Sequence, residues 1–257
     1  HAPIGLSPGK RRGILQEARG VLYFRGRVQR QIPRSRSQPR QRAGIGTGPA
    51  ANDSVDKDER RAEDEVFVCA HIHLALPDPG IVNPDGSDAP WELCHVIEEP
   101  GEGGWSYHKG PVLRSYTDLL RELIEAAAKG GNLLRDFGPT ASGEFPASCL
   151  FRMEAIGRWL AANGESIYGT HRTRLGRQAF GWTTANATTL FLHVIDWPGQ
   201  VLMLKDLHDE AKEVRLLATG KALRFRQEDD LLTVELPADP PDRVATVVAV
   251  RLRGPGQ

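Results

Sequence analysis

The chain has 257 residues, of which 40% are hydrophobic and 26% are charged, and its formal net charge is zero. These fractions are typical of a globular protein, and the length suffices for one large domain or two ordinary ones. No stretch approaches about 18 consecutive apolar residues and no charged region precedes an apolar run, so neither a membrane span nor a secretory signal is predicted.

Residues 1–65 differ in composition from the rest of the chain. The first fifty residues contain ten arginines and one lysine against a single glutamate. The segment is rich in Arg, Gln, Gly, Pro and Ser and cannot bury enough apolar surface to offset its ordering entropy. We therefore predict a basic segment that is disordered or foreign to the following fold. Binding of nucleic acid by residues 10–42 is the alternative, but no aromatic platform accompanies the charge.

The stretch EVFVCAHIHLAL, residues 65–76, alternates as a strand does and ends at PDPG. Alternation places Cys69, His71 and His73 on one face, which is the most metal-like arrangement in the chain. Because no fourth ligand is evident, we interpret the histidines as residues of a wetter strand face. We predict neither a metal site nor a cofactor.

Two amphipathic helices flank a short strand after residue 114. The pattern SYTDLLRELIEAAAKGG predicts a helix that begins at a capping box, since Ser115 and Asp118 are three residues apart, and ends at Gly130. NLLRDFGP predicts a strand, and FPASCLFRMEAIGRWLAANG predicts a second helix. Helix, strand and helix with tight turns indicate an α/β fold. The predicted inner stripes are Leu119, Leu120, Leu123, Ile124 and Ala127 in the first helix, and Leu150, Met153, Ile156 and Leu160 in the second.

After residue 170 the hydrophobic period becomes two. Strands are predicted at roughly ten-residue spacing in TTLFLHVIDWP, QVLMLKDL, EVRLLATG, ALRFRQEDDLLTVELP and VATVVAVRLRG, the fourth of these being a hairpin that turns at EDD. Regular short strands separated by turn signals indicate an antiparallel sandwich.

Four motifs stand in a fixed order: PWELC at 90–94, WSYHKG at 105–110, AKGGNLLRDFGPTASGEFP at 128–146 and IGRWLAANGESIYGT at 156–170. Together they resemble the C-terminal half of the α-L-fucosidases of glycoside hydrolase family 29, in which the second motif usually contains Trp-Gly-Tyr. LFLHVIDWPGQVLML and LTVELPADPPD resemble the β-domain of that family. The resemblance covers about residues 90–257.

The resemblance implies a fold class of α/β plus all-β. The last strands and helices of a partial (β/α) TIM-like barrel would precede a C-terminal antiparallel β-sandwich. The predicted division is the basic segment at 1–65, the barrel part at 66–170 and the sandwich at 171–257. Unpaired edges of a partial barrel predict weak stability or a homo-oligomer. An extracellular, periplasmic or lysosomal location is implied by the resemblance, although no targeting signal is visible.

The implied activity is retaining hydrolysis of terminal α-L-fucose from glycans, which needs a carboxylate nucleophile and an acid/base carboxyl about 5 Å apart. Glu92 aligns with a proposed acid/base of some family members, and a structural role in the pocket wall is the alternative. The family's nucleophile belongs to a Trp-Phe-Asp-Gly or Trp-Ser-Asp-Gly motif upstream of PWELC, and residues 1–89 contain no such motif. We therefore expect a truncated chain that lacks the nucleophile and is inactive alone.

Four further residues are candidates for contact with the substrate. Trp91, Trp105 and Tyr107 would offer apolar faces to the sugar, and ordinary barrel packing is the alternative for each of them. Asp136 replaces an Asn of the family at the C-terminal end of the last barrel strand, where barrel active sites are built.

Arg135 interrupts an apolar run that in the family usually reads Asn-Leu-Leu-Leu-Asn-Ile-Gly-Pro. Alternation places Arg135 on the face of Leu133, toward the covering helices, where an unpaired guanidinium costs several kcal/mol. Three outcomes remain open: the side chain extends to water, pairs with Asp136 or Glu122, or lies on an open face of an incomplete barrel.

The predicted partner is a fucosylated glycan or glycoconjugate, and neither a membrane nor nucleic acid is expected. A non-catalytic carbohydrate-binding protein is the alternative function, with the sandwich binding through Trp182 and Trp197. Exposed aromatic rings on one sandwich face would favour that alternative, whereas Trp197 precedes Pro198 at a strand end, where packing is the expected role.

Overall fold

The computed structural model describes residues 89–100, 105–107 and 109–254, together with the backbone of two short strands in the preceding segment. The two helices of this part are α1, Tyr116–Ala128, and α2, Ala147–Asn163, which continues into a 3-10 turn at Gly164–Ser166. The strands are β1 Val21–Phe24, β2 Val68–Ala70, β3 Trp91–Val96, β4 Asn132–Asp136, β5 His171–Gln178, β6 Gly181–Ala185, β7 Thr189–Val194, β8 Val201–Leu204, β9 Ala211–Leu216, β10 Phe225–Glu228, β11 Leu231–Glu235 and β12 Thr246–Leu252.

The first sheet has the strand order β1-β4-β3-β2 in the described part of the chain. Strands β2, β3 and β4 are parallel, whereas β1 runs antiparallel to β4. The position of β1 differs from the prediction of a disordered segment at 1–65, because its four residues VLYF form a short apolar run that pairs with β4. The rest of that segment lies outside the described residues.

Helix α1 covers one face of the first sheet and matches its predicted form. The Ser115 hydroxyl accepts a hydrogen bond of 3.1 Å from the backbone N–H of Asp118, which caps one of the free amides of the first turn. The helix ends before Gly130, whose φ of 80° suits a residue without a Cβ. The predicted stripe is confirmed, since all five of its members are buried: Leu119, Leu120, Leu123, Ile124 and Ala127.

Helix α2 confirms three of the four predicted inner positions. Met153, Ile156 and Leu160 are buried, but Leu150 is 41% exposed, so its assignment to the inner stripe was wrong. The buried stripe instead begins at Cys149, four residues before Met153, because positions four apart lie on one helix face. Leu150 is turned about 100° away from that face.

The part of the chain after residue 170 folds into two antiparallel sheets. One has the order β5-β6-β7-β12-β9 and the other the order β10-β11-β8. The predicted strands are confirmed, including the hairpin of β10 and β11, which turns at Asp229 with a φ of 52°. The hairpin of β5 and β6 was not predicted, because HRTRLGRQ carries polar side chains at most positions.

The five-stranded sheet is buried on both faces. One face shares an apolar core with the three-stranded sheet, and the other packs on α1 and α2. The side chains of β12 alternate between the two faces of this sheet. Val247 and Ala249 pack with the helices, whereas Val248 and Val250 pack in the core between the two sheets. Continuous apolar stretches such as TVVAV therefore result from burial of both faces.

His193 of β7 is a buried histidine on the helix side of this sheet. Its ring stacks on Trp159 with the ring centroids 6.5 Å apart. Thr184 Oγ1 donates its proton to the Ser166 carbonyl at 2.7 Å and must therefore accept from His193 Nε2 at 2.9 Å. Burial lowers the pKa of His193 from 6.5 to about 3, so the ring is neutral at neutral pH.

We expect the free energy of unfolding to fall on acidification. The histidine of the unfolded chain takes up a proton below pH 6.5, whereas folded His193 does so only near pH 3. The neutral ring therefore makes its full contribution to the free energy of unfolding above pH 6.5. Between these values the stability lost through this residue is about 1.4 kcal/mol per pH unit. Urea unfolding at several pH values measures the slope, and His193→Gln, which keeps an N–H donor, should reduce it. An unchanged slope in the variant would contradict the assignment.

Candidate functional site

The face of the first sheet that is turned away from α1 carries two of the predicted site residues. Leu93 and Leu133 pack toward the helices, so alternation places Glu92, Asn132 and Asp136 on the opposite face. The parallel register pairs Glu92 with Asn132 and Val96 with Asp136.

Glu92 stands near the start of β3 and is half-buried. Its Oε2 atom is buried and has no hydrogen-bond partner within the described residues. A buried carboxyl oxygen that is left without a donor costs free energy, and this arrangement is typical of groups that meet a ligand. Glu92 therefore presents an unpartnered carboxyl oxygen on this face of the sheet.

Asp136 stands at the opposite end of the same face, at the C-terminus of β4. Burial raises the pKa of its carboxyl, and the buried Oδ2 atom has no hydrogen-bond partner in the ranges that the structure describes. The register puts Asp136 four positions beyond the partner of Glu92. Four residues of strand span about 13 Å, whereas the two carboxyls of a retaining glycosidase lie about 5 Å apart. Glu92 and Asp136 therefore do not form such a pair.

Trp105 and Tyr107 lie near Asp136 at the C-terminal end of β4. A Cβ added to Gly138 would come within 2.0 Å of the Tyr107 backbone nitrogen, so only glycine allows this segment to pass so close. Trp105 is 49% exposed and Tyr107 is 47% exposed. Both rings are therefore accessible to a ligand at this end of the sheet.

Trp91 lies at the other end of the sheet and is only 1% exposed. A Cβ on Gly131 would come within 2.3 Å of the Trp91 ring, and the indole N–H donates to the Lys129 carbonyl at 3.3 Å. These contacts place the ring beneath the turn between α1 and β4. They favour a packing role for Trp91 over contact with a sugar.

Arg135 is buried against α1 and is paired with Glu122, one of the partners that the sequence left open. The guanidinium is 1% exposed, donates to Glu122 Oε2 through Nη2, and donates to the Val96 carbonyl at 2.9 Å through Nη1. Arg114 Nη1 lies 3.0 Å from both oxygens of the same carboxylate. The participation of Arg114 was not predicted, because Arg114 belongs to the connection before α1 and to no recognisable motif.

His95 completes this buried cluster. Its Nδ1 lies 2.7 Å from Glu122 Oε1 and 3.0 Å from Arg114 Nη1, so the ring contacts both the carboxylate and one guanidinium of the cluster. Burial, together with Arg135 and Arg114, lowers the pKa of His95 to about 4. The imidazole is therefore neutral at neutral pH, and the cluster is a structural ion-pair network on the helix side of the sheet.

The metal-like arrangement and the basic stretch that the sequence analysis considered fall mainly outside the described side chains. No group of three or more metal-ligating side chains occurs in this part of the chain. His71, His73 and the basic stretch 10–42 lie outside the described side chains, as does the side chain of Cys69.

The aromatic rings proposed for the alternative binding function do not form an exposed platform. Trp182 is 7% exposed, with Lys129 Nζ 5.1 Å from the ring centroid, and Trp197 packs partly buried against the second core. Neither ring offers the exposed face that the alternative requires. Neither helix of the described residues combines the length and the apolar character that a membrane span requires.

Part of this chain is similar in sequence to one known protein family. A family profile described as Alpha-L-fucosidase matches residues 50–165. An α-L-fucosidase of Dictyostelium discoideum is 36% identical over 120 residues, which are 45% of this chain and 26% of the relative. The plasma α-L-fucosidase of Homo sapiens is 32% identical over 162 residues, which are 57% of this chain and 33% of the relative.

Comparison with solved structures gives a consistent result. α-L-Fucosidase isoenzyme 1 from Paenibacillus thiaminolyticus is 34% identical to this chain, with a TM-score of 0.64 over 70% of this chain and 44% of that chain. The chain spans about a third of the length of the curated relatives it matches.

Proposed function

We propose that this chain, which is related to the α-L-fucosidases of glycoside hydrolase family 29, carries the acid/base half of a site that hydrolyses terminal α-L-fucosides. The observation that supports this most is the half-buried Glu92, whose Oε2 has no partner within the described part of the chain. The carboxylate nucleophile is not supplied by Asp136, the other carboxyl on the same face.

The proposed architecture follows the same relationship. Residues 66–170 form the last part of a (β/α) barrel, with β2, β3 and β4 as its parallel strands. Residues 171–257 form a β-sandwich, which is supported by the core that the five-stranded and three-stranded sheets share. In this arrangement the face that carries Glu92 and Asp136 is the barrel interior, with Glu92 toward the N-terminal ends of the strands and Asp136 at their C-terminal ends.

In the proposed reaction Glu92 protonates the leaving oxygen while a nucleophile attacks the anomeric carbon from the opposite side. Glu92 then accepts a proton from the water that completes hydrolysis. Asp136 lies too far along the strands to contact the same ring, and the segment of Trp105 and Tyr107 passes Gly138 at the same end as Asp136. We assign them to the neighbouring sugar of a fucosylated glycan, with Asp136 accepting from hydroxyls and the rings packing on C–H surfaces.

The proposal predicts that the chain alone releases no phenol from 4-nitrophenyl α-L-fucoside in buffer, but does so when sodium azide is added. Azide forms a bond to the anomeric carbon, the bond from that carbon to the aryl oxygen breaks, and the Glu92 proton passes to the departing oxygen. The products are a fucosyl azide and 4-nitrophenol, whose anion absorbs visible light once the solution is made alkaline. Release is expected to rise with azide concentration.

Two results of this assay would oppose the proposal. Release without azide that Glu92→Gln abolishes would show that a nucleophile is already present in the chain. The absence of release at any azide concentration would argue against Glu92 as a working acid. A 4-nitrophenyl β-L-fucoside control separates a fucosidase site from unspecific cleavage of aryl glycosides.

A further inference from the structure

A second concave site lies between α2, the start of α1 and the ends of β9 and β12. The pocket has a volume of about 440 Å³, and none of its lining residues belongs to β3 or β4. Its lining includes Tyr116, Arg158, Trp159, Asn163, Thr219 and Asp242. A pocket of this size holds a small organic ligand.

The charged groups of the pocket are one arginine and one aspartate. Arg158 is exposed, and no hydrogen bond or ion pair to a described residue holds its guanidinium. Asp242 Oδ1 accepts from the backbone N–H groups of Val244 at 2.7 Å and Ala245 at 3.1 Å, which fixes the carboxylate against the loop before β12. Since the lining carries one charge of each sign, the pocket favours a neutral ligand.

Tyr116 brings a hydroxyl close to both charges. Burial, and after it Asp242, raises the pKa of the Tyr116 phenol, while Arg158 lowers it. The three groups therefore face a common space. The guanidinium donates hydrogen bonds, the carboxylate accepts them and the phenol can do both. This combination suits a ligand with several hydroxyl groups.

The rest of the lining is small and mostly apolar. Ala155, Ala162, Ala218 and Ala245 leave the cavity open, and the Trp159 N–H is already engaged with the Ala245 carbonyl at 2.9 Å. Asn163, only 4% exposed, donates to the Trp159 carbonyl, and its Oδ1 has no partner within the described residues. Apolar walls with a few fixed polar groups match the two kinds of surface on a pyranose, its C–H faces and its hydroxyls.

We infer that this pocket is a binding site for a neutral saccharide, separate from the site of Glu92. The Asp242 carboxylate accepts hydrogen bonds from ring hydroxyls, the Tyr116 hydroxyl donates or accepts, Arg158 donates from the rim, and the alanine side chains contact the C–H face. The inference rests on the pocket alone, so it holds or fails independently of the reaction assigned to Glu92.

Saturation-transfer difference NMR on the full chain, with lactose and 2'-fucosyllactose as probes, tests this inference. We expect saturation of the sugar protons in the wild type, and a dissociation constant about tenfold higher for each of Tyr116→Phe and Arg158→Gln, the loss of one good hydrogen bond. Both side chains are partly or fully exposed, so neither change should disturb folding.

Matched controls separate this pocket from the first site. Arg226→Gln removes an exposed arginine of β10, and Glu92→Gln alters the proposed acid; both should bind lactose as the wild type does. The absence of transfer to either sugar, or binding that Tyr116→Phe and Arg158→Gln leave unchanged, would overturn the inference. Tighter binding of a zwitterionic amino acid such as glycine than of either sugar would also overturn the inference.

Discussion

Glu122→Ala is expected to lower the free energy of unfolding by about 3–5 kcal/mol, the usual cost of leaving a buried charge without its partner. The Arg135 guanidinium is 1% exposed and would lose its carboxylate. Burial and the nearby Arg114 already lower the pKa of Arg135 to about 9, so it stays charged at neutral pH. Chemical denaturation monitored by tryptophan fluorescence measures the loss.

The matched variant is Arg135→Leu, which should cost less than about 1.5 kcal/mol. In this variant Glu122 keeps Arg114, whose Nη1 lies 3.0 Å from both carboxylate oxygens. Leucine also suits the apolar surroundings of Leu133 and α1. Equal losses for the two variants would show that Arg135 is not held by Glu122 in the manner described.

Glu92→Gln is expected to slow azide-dependent release of phenol from phenyl α-L-fucoside by at least about 100-fold, the usual contribution of a general acid. Phenolate is a poor leaving group and needs the proton more than 4-nitrophenolate does. The loss should therefore be smaller with 4-nitrophenyl α-L-fucoside. The measurement is the rate of release from each substrate, for wild type and variant at the same azide concentration. The wild-type rate divided by the variant rate gives the loss for each substrate.

Asp136→Asn is the matched control for this reaction. The change removes one carboxylate from the same sheet face and keeps the size and shape of the side chain. Because Asp136 lies about 13 Å along the strands from the position of Glu92, we expect little change in phenol release. Similar losses for both variants with both substrates would contradict the separate roles given to Glu92 and Asp136.

Local patterns in the sequence were sufficient to predict most elements of the fold. The spacing of Ser115 and Asp118 and the stripe that follows predicted α1, because a cap and a helical period are properties of neighbouring residues. Alternation likewise placed Arg135 toward the helix. Leu150 was misplaced because one residue of helix rotates the face by about 100°, and the sequence alone did not fix the start of the stripe.

The site was harder to predict because it depends on contacts between distant segments. The separation of Glu92 from Asp136 follows from the register of β3 and β4, which no local pattern reveals. The burial of Trp91 under Gly131 likewise depends on a contact between segments that are distant in the sequence. The pocket beside α2 combines Tyr116, Arg158 and Asp242 from three separated segments, so its residues had no common motif.

The anomeric configuration of the fucosyl azide formed from 4-nitrophenyl α-L-fucoside tests the central claim most directly, and proton NMR of the product measures it. A chain that supplies only the acid/base carboxyl allows a single displacement, so we predict the β-configured azide. An α-configured azide, or release of α-L-fucose in buffer without azide, would require two displacements through a carboxylate of this chain and would contradict the account.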